Sequence, residues 1–186
     1  MVGVVRGVDL ARTRFLHVPV TALAIAAMTT GVASAQMADN AVQVAGRVVS
    51  FLQPAPSGAI IAAIIYRPGD AVSENEARVI ERALGSGRMV GSLRIKPKRV
   101  AIGSLDELTG AKVAFVTRGT DYREIASATA PRSILTISSD PACAQAGYCV
   151  VTIGSEPRVQ IIVSKAASRA AKLRFSSGFL MLIKEI

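Results

Sequence analysis

The sequence predicts a single-domain α/β protein, a three-layer α/β/α sandwich whose mostly parallel sheet ends in a β-hairpin. Segments whose apolar residues recur at helical spacing alternate along the chain with short apolar segments typical of strands. Two of these short segments, 58–66 and 111–118, are almost continuously apolar, which favours strands buried on both faces. Such alternation is typical of a parallel sheet with helices packed on both sides.

The clearest predicted helix covers residues 73–87. Its first turn holds Ser73 and Glu76 at the spacing of a capping box, and an apolar stripe follows them. The glycines of residues 85–91 come after this helix, whereas a nucleotide-binding loop would follow a strand and open a helix. They are therefore interpreted as the helix C-cap and a loop.

The remaining elements follow from the same patterns. Downstream of residue 91 the sequence predicts a strand at 92–102, a capped helical turn at 104–110, the strand at 111–118, a short helix at 121–130 and a strand at 132–139. A further helix is predicted upstream, at 38–54. Residues 148–165 are interpreted as two strands joined by a GSEP turn. The C-terminal residues 166–186 are interpreted as helical, with a break near 174–177.

The N-terminus has the pattern of an export signal. Three arginines precede an apolar run at 18–28, and the tripeptide ASA at 33–35 supplies the small residues of a cleavage site. Cleavage after Ala35 would start the exported chain at Gln36. A membrane anchor is the alternative, but the apolar run is shorter than the roughly 20 residues of a spanning helix and contains Pro19. We expect an exported protein.

The exported chain, 36–186, has a length that suits one domain with its own core. The formal charge of +9 for the whole chain becomes +7 when residues 1–35, with three basic residues and one acidic residue, are removed. An exported basic protein meets anionic membrane surfaces or acidic protein patches, and no nucleic-acid partner is expected.

The densest basic run is RIKPKR, residues 94–99. In an extended strand Arg94, Lys96 and Lys98 would share one face. A solvated edge strand protected by lysine and by Pro97 is the simpler interpretation, and we favour it.

Residue content argues against the usual catalytic sites. The one histidine, His17, lies in the export signal, and the chain has no tryptophan. Triads that use histidine, histidine general bases and most zinc sites are therefore not expected in the exported chain. We expect a protein that is not an enzyme, with no catalytic residue, no cofactor and no metal.

Cys143 and Cys149 are the only cysteines, and five residues separate them. A structural zinc site usually needs four Cys or His ligands, and a thioredoxin-like pair has the spacing Cys-x-x-Cys. In an oxidising compartment a disulfide is the simplest interpretation. Closing so short a loop should stabilise the fold by roughly 2 to 2.5 kcal/mol.

Polar residues follow three of the predicted strands and could line a ligand cleft at their carboxyl ends. For each residue alone, a loop residue whose polar groups are bonded locally is the simpler interpretation, and only their convergence makes them candidates. The candidates are Tyr66, Arg67, Asp70, Thr117, Arg118, Ser138, Ser139 and Asp140.

The C-terminal third, from SILTISS at 133–139 to FSSGFLMLIKEI at 175–186, resembles the YfiR/HmsC family of exported regulators of bacterial biofilm signalling. The matching pieces are the strand at 135–137, the cysteine loop at 143–149, the strand at 159–163, the Ala-rich segment at 166–171 and FSS at 175–177, together with 105–118. Ser164 stands where the family usually has Asn, and the family's N-terminal Trp is absent. Residues 61–80 also resemble the first strand, loop and helix of periplasmic substrate-binding proteins.

The resemblance implies a periplasmic α/β protein, similar to one lobe of a substrate-binding protein. It implies that the protein binds the periplasmic part of an inner-membrane diguanylate cyclase and keeps it inactive, with a disulfide in the corresponding loop. A periplasmic small-molecule-binding protein is the alternative, but its two-lobed form would need a second α/β lobe. Whether a small-molecule ligand modulates the protein, and whether it forms a homodimer, stay open.

Overall fold

The computed structural model describes Gly3 and residues 41–154 and 159–186. The strands are β1 (Gly58–Tyr66), β2 (Arg88–Val90), β3 (Leu93–Ala101), β4 (Ala111–Val116), β5 (Leu135–Ser138), β6 (Val151–Gly154), β7 (Gln160–Val163) and β8 (Lys184–Glu185). The helices are α1 (41–50), α2 (Ala71–Leu84), α3 (Tyr122–Thr129), α4 (Pro141–Gln145), α5 (Lys165–Ala170) and α6 (Ser177–Leu180), with 3-10 helices at Ile102–Leu108 and Ala130–Arg132.

The eight strands form one sheet in the order β2-β3-β1-β4-β5-β6-β7-β8. Neighbours from β3 to β6 are parallel, whereas β2 is antiparallel to β3 and β7 is antiparallel to β6. The predicted α/β class with a mostly parallel sheet is confirmed. The predicted hairpin exists as β6 and β7, but the sheet continues beyond it because β8 pairs with β7 in parallel.

Two apolar clusters cover opposite faces of the sheet. On one face Ile60 and Ile64 of β1 pack with residues of α1 and α2. On the other face Ala63 and Ile65 pack with Leu108 of the first 3-10 helix and with residues of α3. Because alternate residues of a strand point to opposite faces, the continuous apolar run of β1 serves both layers. Each fully buried isoleucine contributes about 1.5 to 3 kcal/mol of burial free energy.

Helix α2 begins earlier than its sequence pattern predicts. Asp70 is the N-cap, and its Oδ1 accepts the backbone N–H of Ser73 at 2.8 Å. The predicted capping box of Ser73 and Glu76 is therefore wrong, since an acidic N-cap three residues upstream already satisfies the first turn. Gly85 ends the helix with a positive φ of 53°, as predicted, but residues 88–90 of the predicted loop form β2.

The basic run lies on β3, which is only partly an edge strand. β1 pairs with its whole length, and β2 pairs with Leu93–Ile95 on the other side. Pro97 lies beyond the pairing with β2, where a missing N–H costs the sheet no hydrogen bond. The interpretation of this segment as an edge strand is thus wrong for Leu93–Ile95, which pair on both sides, and agrees with the structure for the rest of β3, which pairs only with β1.

The prediction of a helical segment at 166–186 with a break near 174–177 is partly wrong: α5 and α6 lie on either side of a break, but the break is longer than predicted and the segment ends in β8. Lys172 has a positive φ of 54° just after α5, and the backbone at Phe175 forms a bridge with Leu52. Phe179 of the short helix α6 then stacks on Phe51, with ring centroids 4.8 Å apart. Packing against the end of α1 therefore breaks the helix, and the open edge of β7 takes β8 as its partner.

Some predictions fall on residues outside the described ranges. These are the export signal, the start of the helix predicted at 38–54, and the turn between β6 and β7. Within the described residues, helix α1 ends at residue 50 and residues 51–54 are not helical. None of the described helices combines the length and the apolar character that crossing a bilayer requires.

Candidate functional site

The sheet order places the carboxyl ends of β1, β4 and β5 side by side, so the polar residues that follow these strands meet at one edge. Glu76 of α2 joins two of the strands. Its Oε2 accepts the backbone N–H of Arg118 at 2.8 Å, and its Oε1 accepts the Ser139 hydroxyl at 2.5 Å. The guanidinium of Arg118 also lies 3.7 Å from Oε2 of Glu76. An acidic side chain thus links α2 to the ends of β4 and β5.

Two of the predicted site residues are buried, and their hydroxyls form hydrogen bonds within the protein. Thr117 is completely buried, and its hydroxyl donates to the carbonyl of Ile65 at 2.9 Å. Ser138 is also buried, and its hydroxyl donates to the carbonyl of Val116 at 2.9 Å. These hydroxyls complete the backbone hydrogen bonding of neighbouring strands, which is the local role that polar residues at strand ends often have.

Asp70 and Asp140 are helix N-caps. Asp140 accepts the N–H of Ala142 at the start of α4, and its second carboxylate oxygen accepts the hydroxyl of Tyr122 at 2.8 Å. Burial, together with this hydrogen bond and the nearby carboxylate charges, raises the pKa of Tyr122 above its ordinary value. Asp140 therefore orders the loop after β5 and fixes the position of the Tyr122 hydroxyl.

Tyr66 and Arg67 lie at the end of β1, away from the cleft. The Tyr66 ring carries the guanidinium of Arg99, whose central carbon lies 4.2 Å from the ring centroid. Arg67 has an exposed side chain, and its backbone N–H donates to Ser73 Oγ at 2.8 Å.

An open cleft of about 620 Å³ lies between α1, α2 and the carboxyl ends of β4, β5 and β6. Its floor is apolar and comes from Phe115, Ile137 and Ile153. Of the eight predicted candidates, the cleft is lined by Arg118, Ser138 and Ser139, and not by Tyr66, Arg67, Asp70, Thr117 or Asp140. Its chemistry suits an apolar group with one polar end.

Sequence reasoning missed the wall that α2 contributes. Val72, Asn75, Glu76 and Val79 line the cleft from one side of this helix. Their spacing of three and four residues is itself a helical stripe, displaced from the core stripe of Ala77 and Leu84. Two valines outside the core face of an amphipathic helix were the available signal.

The described residues of the cleft do not form a metal-binding site. No group of three or more His, Cys, Asp or Glu side chains in the described part of the chain is arranged to hold a metal ion.

A family model described as YfiR/HmsC-like matches residues 71–183, which covers β4, β5, α4 and the cysteine loop. The chain belongs to the YfiR/HmsC-like family. No curated protein matches the sequence.

Solved structures share the fold at low identity. A conserved domain protein from Vibrio cholerae O1 biovar El Tor is 8% identical, with a TM-score of 0.53 over 80% of this chain and 59% of that chain. The ABC domain from Streptococcus pneumoniae, solved with L-Trp, is 8% identical, with a TM-score of 0.56 over 77% of this chain and 61% of that chain. This protein therefore spans about three fifths of the length of each, and the likeness concerns the fold alone.

Proposed function

We propose that this protein is a periplasmic regulator that binds the periplasmic part of an inner-membrane diguanylate cyclase and restrains its activity. The observation that carries the proposal is the match to the YfiR/HmsC-like family over residues 71–183. Residues 1–35 would serve as a cleaved export signal, and residues 36–186 would form the regulatory domain.

The arrangement of the strand ends supports a binding role over catalysis. The hydroxyls of Thr117 and Ser138 donate to backbone carbonyls, and Glu76 is occupied by Arg118 and Ser139. A nucleophile needs a base within hydrogen-bond reach, and the hydroxyls of Thr117 and Ser138 have none among the described residues. The Ser139 hydroxyl does donate to the Glu76 carboxylate, but the other oxygen of that carboxylate accepts the Arg118 N–H, so the pair also joins α2 to the loops after β4 and β5. Function in such a protein comes from its surface.

Deletion of the gene tests the proposal. Loss of the regulator should raise cellular cyclic-di-GMP and surface attachment, and a wild-type copy should restore both. A copy that starts at Gln36 behind a new initiator Met is the matched control, because it keeps the domain but lacks the export signal, so it should not restore either. Unchanged cyclic-di-GMP in the deletion strain would contradict the regulatory role. Full restoration by the copy without the signal would contradict the periplasmic role.

A small-molecule-binding function is the second candidate, and the apolar cleft is the observation that favours it. A volume of about 620 Å³ is within the range of ligand sites. The residues of the described rim, Arg118 and Ser139, could orient the polar end of a ligand.

The chain has no tryptophan, so an introduced one can both fill the cleft and report on it. A metabolite that raises the melting temperature of the wild-type protein should lose this effect in Val79→Trp. Met181→Trp is the control, since Met181 is 82% exposed and does not line the cleft. A ligand that stabilises both variants equally would bind elsewhere.

A further inference from the structure

On the face of the sheet that packs against α3, no described helix covers the first halves of β1 and β3. Residues that pair directly across neighbouring strands point to the same side of a sheet. Met89 of β2 pairs with Arg94 of β3, and Arg94 pairs with Ala59 of β1. In a neighbouring row Lys96 pairs with Ile61. We call these five residues the basic face.

The members of the basic face are open to solvent. Met89 is 53% exposed and Ile61 is 37% exposed, although both side chains are apolar. Arg94 and Lys96 are exposed, and neither forms an ion pair with any described residue. The face ends at Lys98, whose ammonium lies 3.3 Å from the carboxylate of Glu107.

From this combination we propose that the basic face binds the surface of an anionic lipid bilayer. Long cationic side chains can reach lipid phosphates while Met89 and Ile61 enter the boundary between headgroups and acyl chains. A second copy of the chain would bring the same unpaired cations against this face, so like charges disfavour it as the occupant. An acidic protein would satisfy Arg94 and Lys96 but would place charged groups against Met89.

The exposed cations also fit the charge of the whole chain. A formal charge of +7 for residues 36–186 attracts the protein to an anionic surface, and the two cations of the basic face, which have no ion-pair partner among the described residues, would orient it there. This inference does not depend on the identity of the cyclase, and its test needs no partner protein.

The test uses protein purified from a periplasmic extract, with its N-terminus determined by mass spectrometry. Binding is measured by sedimentation with vesicles of phosphatidylglycerol and phosphatidylcholine, and with phosphatidylcholine vesicles alone. We expect binding to the anionic vesicles that weakens between about 50 mM and about 500 mM salt. Binding to the neutral vesicles should be weak, because only an anionic surface attracts the cations.

The double variant R94Q/K96Q should bind the anionic vesicles about 25-fold more weakly, since each cation near such a surface contributes about fivefold. K172Q/K184Q is the matched control, because both lysines are exposed and Lys184 lies on β8, at the opposite edge of the sheet. It removes the same charge and should weaken binding less than about threefold. Equal weakening by the two double variants would overturn the proposal.

The Met89→Ser variant distinguishes between a bilayer and an acidic protein as the binding partner of the basic face. It keeps every charge, so it should weaken vesicle binding several-fold and leave binding to polyglutamate unchanged. Wild-type protein that binds polyglutamate through Arg94 and Lys96 but ignores anionic vesicles would show that the occupant is an acidic protein. Circular dichroism and thermal melts of each variant establish that it is folded, and the salt dependence of the wild-type protein tests the proposal without any substitution.

Discussion

The hydroxyl oxygen of Ser73 lies 2.7 Å from that of Thr117, and both side chains are fully buried. The Thr117 hydroxyl donates to the carbonyl of Ile65, so the Ser73 hydroxyl donates to Thr117 and accepts the N–H of Arg67. This chain of hydrogen bonds fixes the start of α2 against the carboxyl ends of β1 and β4. It therefore sets the position of the cleft wall that α2 provides.

Ser73→Ala should lower the free energy of unfolding by about 1 to 3 kcal/mol, because it leaves polar groups at the strand ends without a partner. Urea unfolding measures the change. Ser127→Ala is the control, since this exposed hydroxyl donates to Arg123 within its own helix, and its effect should stay below about 0.5 kcal/mol. Equal decreases in the free energy of unfolding of the two variants would show that the buried hydrogen bond contributes no more stability than the exposed one.

The disulfide between Cys143 and Cys149 should contribute stability. The structure joins the two residues, and both are buried. Gly147, with a φ of 76°, provides the left-handed turn in the loop between them. Replacing both cysteines with alanine should cost about 2 kcal/mol of loop-closure free energy and lower the melting temperature by about 5 °C.

A thiol count on the native and reduced protein, followed by thermal melts, measures the effect of the disulfide. Partner binding should survive in the alanine variant at temperatures where it is folded. Two free thiols in the native protein would contradict the bond. Loss of binding by a folded variant would place the loop in the binding surface.

Tyr122 should make stability fall at high pH. Burial and the hydrogen bond to Asp140 raise the pKa of Tyr122 in the folded protein. A raised folded pKa gives a stabilisation that is complete below the unfolded value of about 10 and is lost as the pH rises above it. Urea unfolding between about pH 9 and about pH 12 should therefore show a smaller decline for Tyr122→Phe than for the wild-type protein. Identical declines would contradict the assignment.

Export should remove the N-terminal segment. The pattern of basic, apolar and small residues in 1–35 predicts a periplasmic chain that starts at Gln36. Mass spectrometry of the protein from a periplasmic extract measures its terminus. Ala35→Leu should slow processing, because the signal peptidase site requires a small residue there. A periplasmic protein that keeps Met1 would support the anchor alternative.

The sequence alone determined the features that local burial controls. Continuous apolar runs predicted β1 and β4, helical spacing predicted α2, and the short interval between Cys143 and Cys149 predicted their disulfide. The order of small motifs in the C-terminal third was sufficient for the family. These features could be predicted because the period and the length of an apolar pattern depend on the immediate environment of each segment.

The tertiary structure decided which distant groups meet. Ser73 has the sequence context of an N-cap, yet it lies inside α2 because Asp70 caps the helix and Thr117 needs a buried partner. Glu76 belongs to the site because it binds Arg118 and Ser139, which lie far away along the chain. Strand order and packing against other elements also produced β8 and the cleft. A periodic pattern records whether a face is buried, but only the assembled fold determines which groups lie against that face.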